Sequence, residues 1–199
     1  MITDRKSATT WQKKYDLQAP KVGDTAPDFS LCDANGRNSV RLSDYRQKMP
    51  VALIFGSFTW PPYVRGSVSL TDIYAKYHEQ VKFIPIYIRE AHPVDGWWFG
   101  GNLLTKKLMK TFAPKVAMDV HDPQTMDERR QVAGTCEASL SYGVRTYVDV
   151  MDDAVNKAYA GWPTRLYLID TDGVVVYAAG LGPYDFHPSK LEKAIENYL

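Results

Sequence analysis

Residues 57–60, Ser-Phe-Thr-Trp, and 87–92, Tyr-Ile-Arg-Glu-Ala-His, hold most of the groups in this chain whose chemistry reaches beyond packing. His92 is a proton donor or a ligand contact, because an imidazole changes charge near neutrality. Glu90, two residues earlier, is expected to pair with it, orient the ring and raise its pKa. The plainer readings are a loop histidine held by Glu90 or Asp95, and a solvated acid at a strand end. Ser57 and Thr59 either donate to a ligand or cap a following helix. Tyr87 either borders a pocket or packs in the core with a satisfied hydroxyl. Arg165 offers a fork of donors that suits a carboxylate or phenolate, unless it pairs with Asp152 or Asp153. Trp60 either stacks a planar ligand or plugs a pocket, since an indole buries much area in both cases.

Other candidates carry less. Glu90, His92 and Asp95 match no strong metal-ligand spacing, so no metal and no cofactor are expected. His121, beside Asp122, and His187 sit near turns and read as surface residues. Asp170-Thr-Asp-Gly173 is a hairpin turn that lacks the downstream acids of a calcium loop.

These residues need elements to position them. Residues 51–55 are five consecutive apolar residues between Pro50 and Gly56, the pattern of a strand buried on both faces. Pro61 and Pro62 cannot sit inside a helix but can open one. The stretch is therefore strand, tight loop, helix N-terminus, with Trp60 at the loop apex. Residues 63–80 carry Val64, Val68, Ile73, Tyr74 and Tyr77 at near-helical spacing, and residues 81–88 read as a second buried strand. The loop after Ile88 then emerges at the same sheet edge as Thr59 and Trp60, because both follow parallel strands. Upstream, Phe29 and Leu31 alternate, as do Val40 and Leu42, around an Asn35-Gly36 hairpin turn. Downstream, helices are expected over 102–113, 123–140 and 152–159, with a short strand around 146–148. A strand from Arg165, a turn at Asp172-Gly173, a returning strand and a helix opened by Pro188 complete the chain.

Composition bounds the rest. The chain has 199 residues, 45% hydrophobic and 24% charged, enough for one domain with a sizeable core. The net charge of +1 gives no electrostatic argument for nucleic acid or an anionic membrane surface. No stretch reaches the ~18 apolar residues of a membrane helix. Cys32 and Cys136 are far apart and form no disulfide framework, and the opening MITDRKSATTWQKK has no apolar run. A cytoplasmic protein is expected, with residues 1–22 as an arm or short helix docking by Trp11, Tyr15 and Leu17, and 23–199 as one domain.

The order hairpin, strand, helix, strand, helices, proline, hairpin, helix is that of a thioredoxin-like α/β fold. It would carry an N-terminal β-hairpin extension and a helical insertion before Pro163, expected cis. Several stretches in that order resemble the iodothyronine deiodinase family and its bacterial redoxin relatives, themselves close to peroxiredoxins. They are Gly23-Asp-Thr-Ala-Pro-Asp-Phe-Ser-Leu31, Phe55-Gly-Ser-Phe-Thr-Trp-Pro-Pro-Tyr63, Tyr87-Ile-Arg-Glu-Ala-His-Pro-Val-Asp-Gly-Trp97, residues 148–159, Arg165-Leu-Tyr-Leu-Ile169 and Gly180-Leu-Gly-Pro183. The resemblance covers about residues 23–199. It implies that residues 87–97 form the loop carrying the family's Glu and His. It also implies that Trp60 stands where the family has a selenocysteine or cysteine nucleophile, and Phe58 where many members have a second cysteine. An indole cannot replace a thiolate, and Cys32 and Cys136 match neither position. Thiol-based deiodination or peroxide reduction is then expected to be absent. Three functions follow as expectations. The first is binding of a small aromatic or phenolic molecule between Trp60, Tyr87, His92 and Arg165. The second is non-thiol acid–base catalysis by His92 with Glu90 on a substrate held by Arg165. The third is a protein-interaction module plugged by Trp60. By resemblance alone, a homodimer is expected.

Overall fold

A computed structural model describes residues 2–98, 111, 115–140 and 143–199. Its centre is β3 (Val51–Gly56), buried along its whole length. β3 runs parallel to β4 (Lys82–Tyr87) and antiparallel to β6 (Arg165–Ile169). β1 (Ser30–Asp33), β2 (Ser39–Arg41), β5 (Tyr147–Val148) and β7 (Val175–Ala178) complete a seven-stranded sheet of order β2-β1-β5-β4-β3-β6-β7. The fold is thioredoxin-like α/β. The expected hairpin forms the β2-β1 edge, but its turn is wider than Asn35-Gly36 alone, because the Asp33 carboxylate takes the amides of Arg37 and Asn38 and holds a longer loop.

Alternation along the strands divides the core between two faces. Val51, Leu53, Phe55, Ile84, Ile86, Tyr167 and Ile169 pack on one face, which α1 (Arg5–Asp16) and α4 (Ala154–Tyr159) cover. Ala52, Ile54, Phe83, Tyr87, Leu166 and Leu168 pack on the other, beneath α2 (Pro61–Tyr77), α3 (Met126–Leu140) and α5 (Pro188–Tyr198). α2 opens on its two prolines and buries Tyr63, Val64, Ser67, Leu70, Ile73 and Tyr77. Val68 instead falls on the solvent side. α3 starts at Met126, three residues later than Pro123. The helix expected over 102–113 lies outside the described residues, Thr111 excepted.

The arm is helix α1, with Asp4 and Ser7 capping each other's backbone amides. It docks by Ala8 and Trp11, whose ring meets Trp162 edge-on with centroids 5.7 Å apart. Leu17 does not dock: it follows the helix and is 82% exposed. The Trp162–Pro163 bond is cis, and so is Gly182–Pro183. No helix among the described residues is long and apolar enough to cross a membrane.

Candidate functional site

Register brings the two chemical stretches together. Gly56 is level with Tyr87 in the parallel pair, so loops 57–60 and 88–92 leave the sheet side by side. A β-carbon on Gly56 would lie 2.2 Å from the Tyr63 ring, so only glycine lets the first turn of α2 fold back onto the strand end. From the antiparallel side, Thr164 donates its hydroxyl to the Phe55 carbonyl at 2.7 Å, which sets Pro163 beside the same edge.

Glu90 knits the loops. It is 2% exposed and accepts from the Thr59 amide at 2.8 Å, the Phe58 amide at 3.3 Å and the hydroxyls of Thr59 and Tyr87. Thr59 Oγ1 in turn accepts from the amides of Ala91 and His92 at 3.2 and 3.0 Å. Burial raises the Glu90 pKa, outweighing four hydrogen bonds that favour the carboxylate. Burial, and then the Glu90 charge, push the Tyr87 phenol well up, so its proton stays on Tyr87. Thr59 and Tyr87 are therefore fastened to Glu90. The Ser57 hydroxyl is buried and has no hydrogen-bond partner among the described residues.

Glu90 and His92 share no hydrogen bond, contrary to the expected pair. His92 Nδ1 instead lies 2.6 Å from the Trp97 carbonyl, and its ring stacks on Trp60 with centroids 5.3 Å apart. The pKa of His92 moves down, to about 4, because burial disfavours the imidazolium and outweighs the hydrogen bond to the Trp97 carbonyl. The imidazole is neutral at pH 7. With Nδ1–H given to the carbonyl, Nε2 carries the lone pair.

Arg165 is also placed differently from expectation. Strand alternation puts it on the same face as Tyr167, the face that α1 covers. Its guanidinium bonds Asp16 of α1 at 2.8 Å and the Ala179 carbonyl at 2.8 Å, and it does not border the aromatic cleft. Asp153, weighed as its partner, belongs to a buried ion network with Arg129 at 2.9 Å and Arg89 at 3.7 Å. Asp122 is tied to Arg89 at 2.7 Å, so it is more than a turn residue. Among the described residues no group of three metal-ligating side chains converges.

Trp60 is the N-cap of α2, half-buried, and makes no side-chain cap. It forms a wall of a cleft of about 590 Å³, together with Trp97, Trp162, Pro163, residues 181–184 and one face of α1. Sequence reading did not foresee the α1 contribution of Arg5, Thr9 and Gln12. Its signal was present in the Asp4…Ser7 cap and in Ala8, Trp11 and Tyr15 at helical spacing. The cysteines lie elsewhere. Cys32 pairs in β1 with Val148 and Ser39, and Cys136 is buried in α3, where burial and the Glu90 charge push its thiol well up.

Comparison with known proteins agrees with this fold. The model of the family described as iodothyronine deiodinase matches residues 5–199. The chain is similar to the thyroxine 5-deiodinase of Sparus aurata, 30% identical over all of this chain and 69% of that protein. It is likewise 30% identical to that of Rattus norvegicus, over 88% of this chain and 53% of that one. The chain thus spans about half the length of its mammalian relatives. Among solved structures, a peroxidoxin from Mycobacterium tuberculosis is 16% identical with a TM-score of 0.60, covering 90% of this chain and 99% of its own. The thioredoxin domain of a thiol-disulfide oxidoreductase from Bacteroides vulgatus is 14% identical with a TM-score of 0.59 over the same shares. These two support the fold alone.

Proposed function

The chain belongs to the iodothyronine deiodinase family, and from that premise we propose that it has lost the redox nucleophile and binds a small aromatic or phenolic molecule in the cleft at that position. The observation that carries this reading is the placement of Trp60. It occupies the N-cap of α2, where a helix N-terminus would stabilise a thiolate, and offers an indole in its place. That indole joins Trp97 and Trp162 around a cleft large enough for one or two fused rings. Trp60 is braced against His92 as part of the wall, which favours a binding platform over a plug. The acid–base reading draws less support, because Glu90 is spent on Thr59, Phe58 and Tyr87, and Arg165 on Asp16 and Ala179. A cytoplasmic homodimer is part of the proposal. The dimer comes from resemblance, and the reducing compartment from two cysteines that stay free.

Calorimetric titration with 2-naphthol tests the reading. Saturable binding is expected, weakened about tenfold or more by Trp60→Ala, as loss of a stacking face implies. No binding, or binding indifferent to Trp60, contradicts it.

A further inference from the structure

The cleft is asymmetric in charge. One wall is three indoles and two prolines; the other is the N-terminal half of α1, with Arg5, Thr9 and Gln12. Of the described residues that border the cleft, Arg5 is the only one with a charge. Three neighbouring donors are committed, while the buried Trp60 indole N–H has no partner among the described residues. Gln12 gives its amide to the Gly182 carbonyl at 3.1 Å, the Thr9 hydroxyl bonds the Arg5 carbonyl at 2.8 Å, and the Trp162 indole bonds the Glu90 carbonyl at 3.3 Å. The Arg5 guanidinium makes no ion pair or hydrogen bond with any described residue. The cation expected from the sequence, Arg165, pairs instead with Asp16 at the other end of the same helix. α1 thus removes one arginine from ligand recognition and brings another to the cleft.

We propose that the cleft takes planar aromatic anions, with the ring against Trp60, Trp97 and Trp162 and an anionic oxygen group at Arg5. This rests on the aromatic-binding reading above and adds the charge of the ligand and the residue that selects it. The physical basis is a lone cation beside apolar walls. Arg5 is exposed on the rim of the cleft, so its attraction for an anion is that of a solvent-screened charge, and a guanidinium meets a carboxylate with two parallel hydrogen bonds. A cationic ligand would meet uncompensated repulsion at the same point.

Two ring-matched probes test it by calorimetry at neutral pH and low salt: 2-naphthoate, which is anionic, and 2-naphthol, which is not. The expected result is a preference for naphthoate of about three- to fivefold, as one exposed charge pair gives, shrinking as salt is added. Arg5→Gln should abolish the preference, and Arg5→Glu should reverse it. Lys13→Gln, which removes a charge from α1 outside the cleft lining, should leave it in place and so excludes a general effect of net charge. Naphthol binding with no naphthoate preference, or a preference that survives Arg5→Gln, overturns the assignment of Arg5 while leaving the aromatic cleft standing. Failure of both probes to bind overturns both.

Discussion

Thr59 shows how far a single hydroxyl can organise a site. It donates to Glu90 and accepts two amides from the neighbouring loop, so one oxygen satisfies three buried groups. Thr59→Val keeps the shape and strands those groups, and should cost about 2–4 kcal/mol in urea denaturation, whereas Thr59→Ser should cost well under half of that. His92 makes a prediction in pH. Its folded pKa of about 4 lies below the 6.5 of an exposed imidazole. Between those values the unfolded chain binds a proton that the folded one does not, so this residue's contribution to stability rises as pH climbs from about 4 to 6.5 and is level above. Asp149 acts in the opposite sense. Burial lifts its pKa from 3.8 to about 6, so its contribution falls as pH rises through that window. The clean measurement is a difference. The stability of the parent relative to His92→Phe should grow with pH from 4 to 6.5, by on the order of 2–3 kcal/mol. A flat difference would mean that the imidazole titrates normally.

At the scale of elements, Asp149 and α1 matter most. The Asp149 carboxylate accepts from the amides of Val150, Val155 and Asn156, anchoring the start of α4. Asp149→Ala should destabilise the protein by roughly 2–3 kcal/mol, because those amides lie in a buried turn. α1 has only 12 residues, too few to persist alone, so its order depends on docking. Trp11→Ala should leave the sheet intact while making the chain sensitive to trypsin at Lys13 and Lys14. Cleavage no faster than in the parent would show that Asp16–Arg165 and Gln12–Gly182 suffice to hold the helix. The elements themselves were largely legible in the sequence. An unbroken apolar run gave β3, paired prolines gave the start of α2, and Asp172-Gly173 gave the last hairpin. What could not be read was which side chain meets which across long separations. Arg165 is 149 positions from Asp16, and no local pattern links them. The alternation of Arg165, Tyr167 and Ile169 against Leu166 and Leu168 does signal its face, and would have directed it away from Tyr87. Glu90 and His92 are adjacent in sequence spacing yet face different partners, because Thr59 claims the carboxylate and Trp97 the ring.

Across the whole molecule, a thioredoxin-like sheet brings three segments to one edge: the loop after β3, the loop after β4 and the turn before β6. In the proposed account the scaffold is intact and one position, Trp60, decides the chemistry. The loop around it holds no cysteine: Phe58 and Trp60 stand at the two positions where the family resemblance implies thiol or selenol groups. Cys136 is buried with its thiol pushed up, and Cys32 lies across the sheet in β1. The most direct measurement is therefore a paired turnover assay. The parent and Trp60→Cys would each be given an iodinated phenol or a hydroperoxide with excess dithiol. The account predicts no turnover by the parent and measurable turnover by the variant, whose new thiol would sit at the N-terminus of α2 opposite Pro163. Turnover by the parent, abolished when Cys32 or Cys136 is replaced by serine, would contradict the claim that Trp60 marks a lost nucleophile.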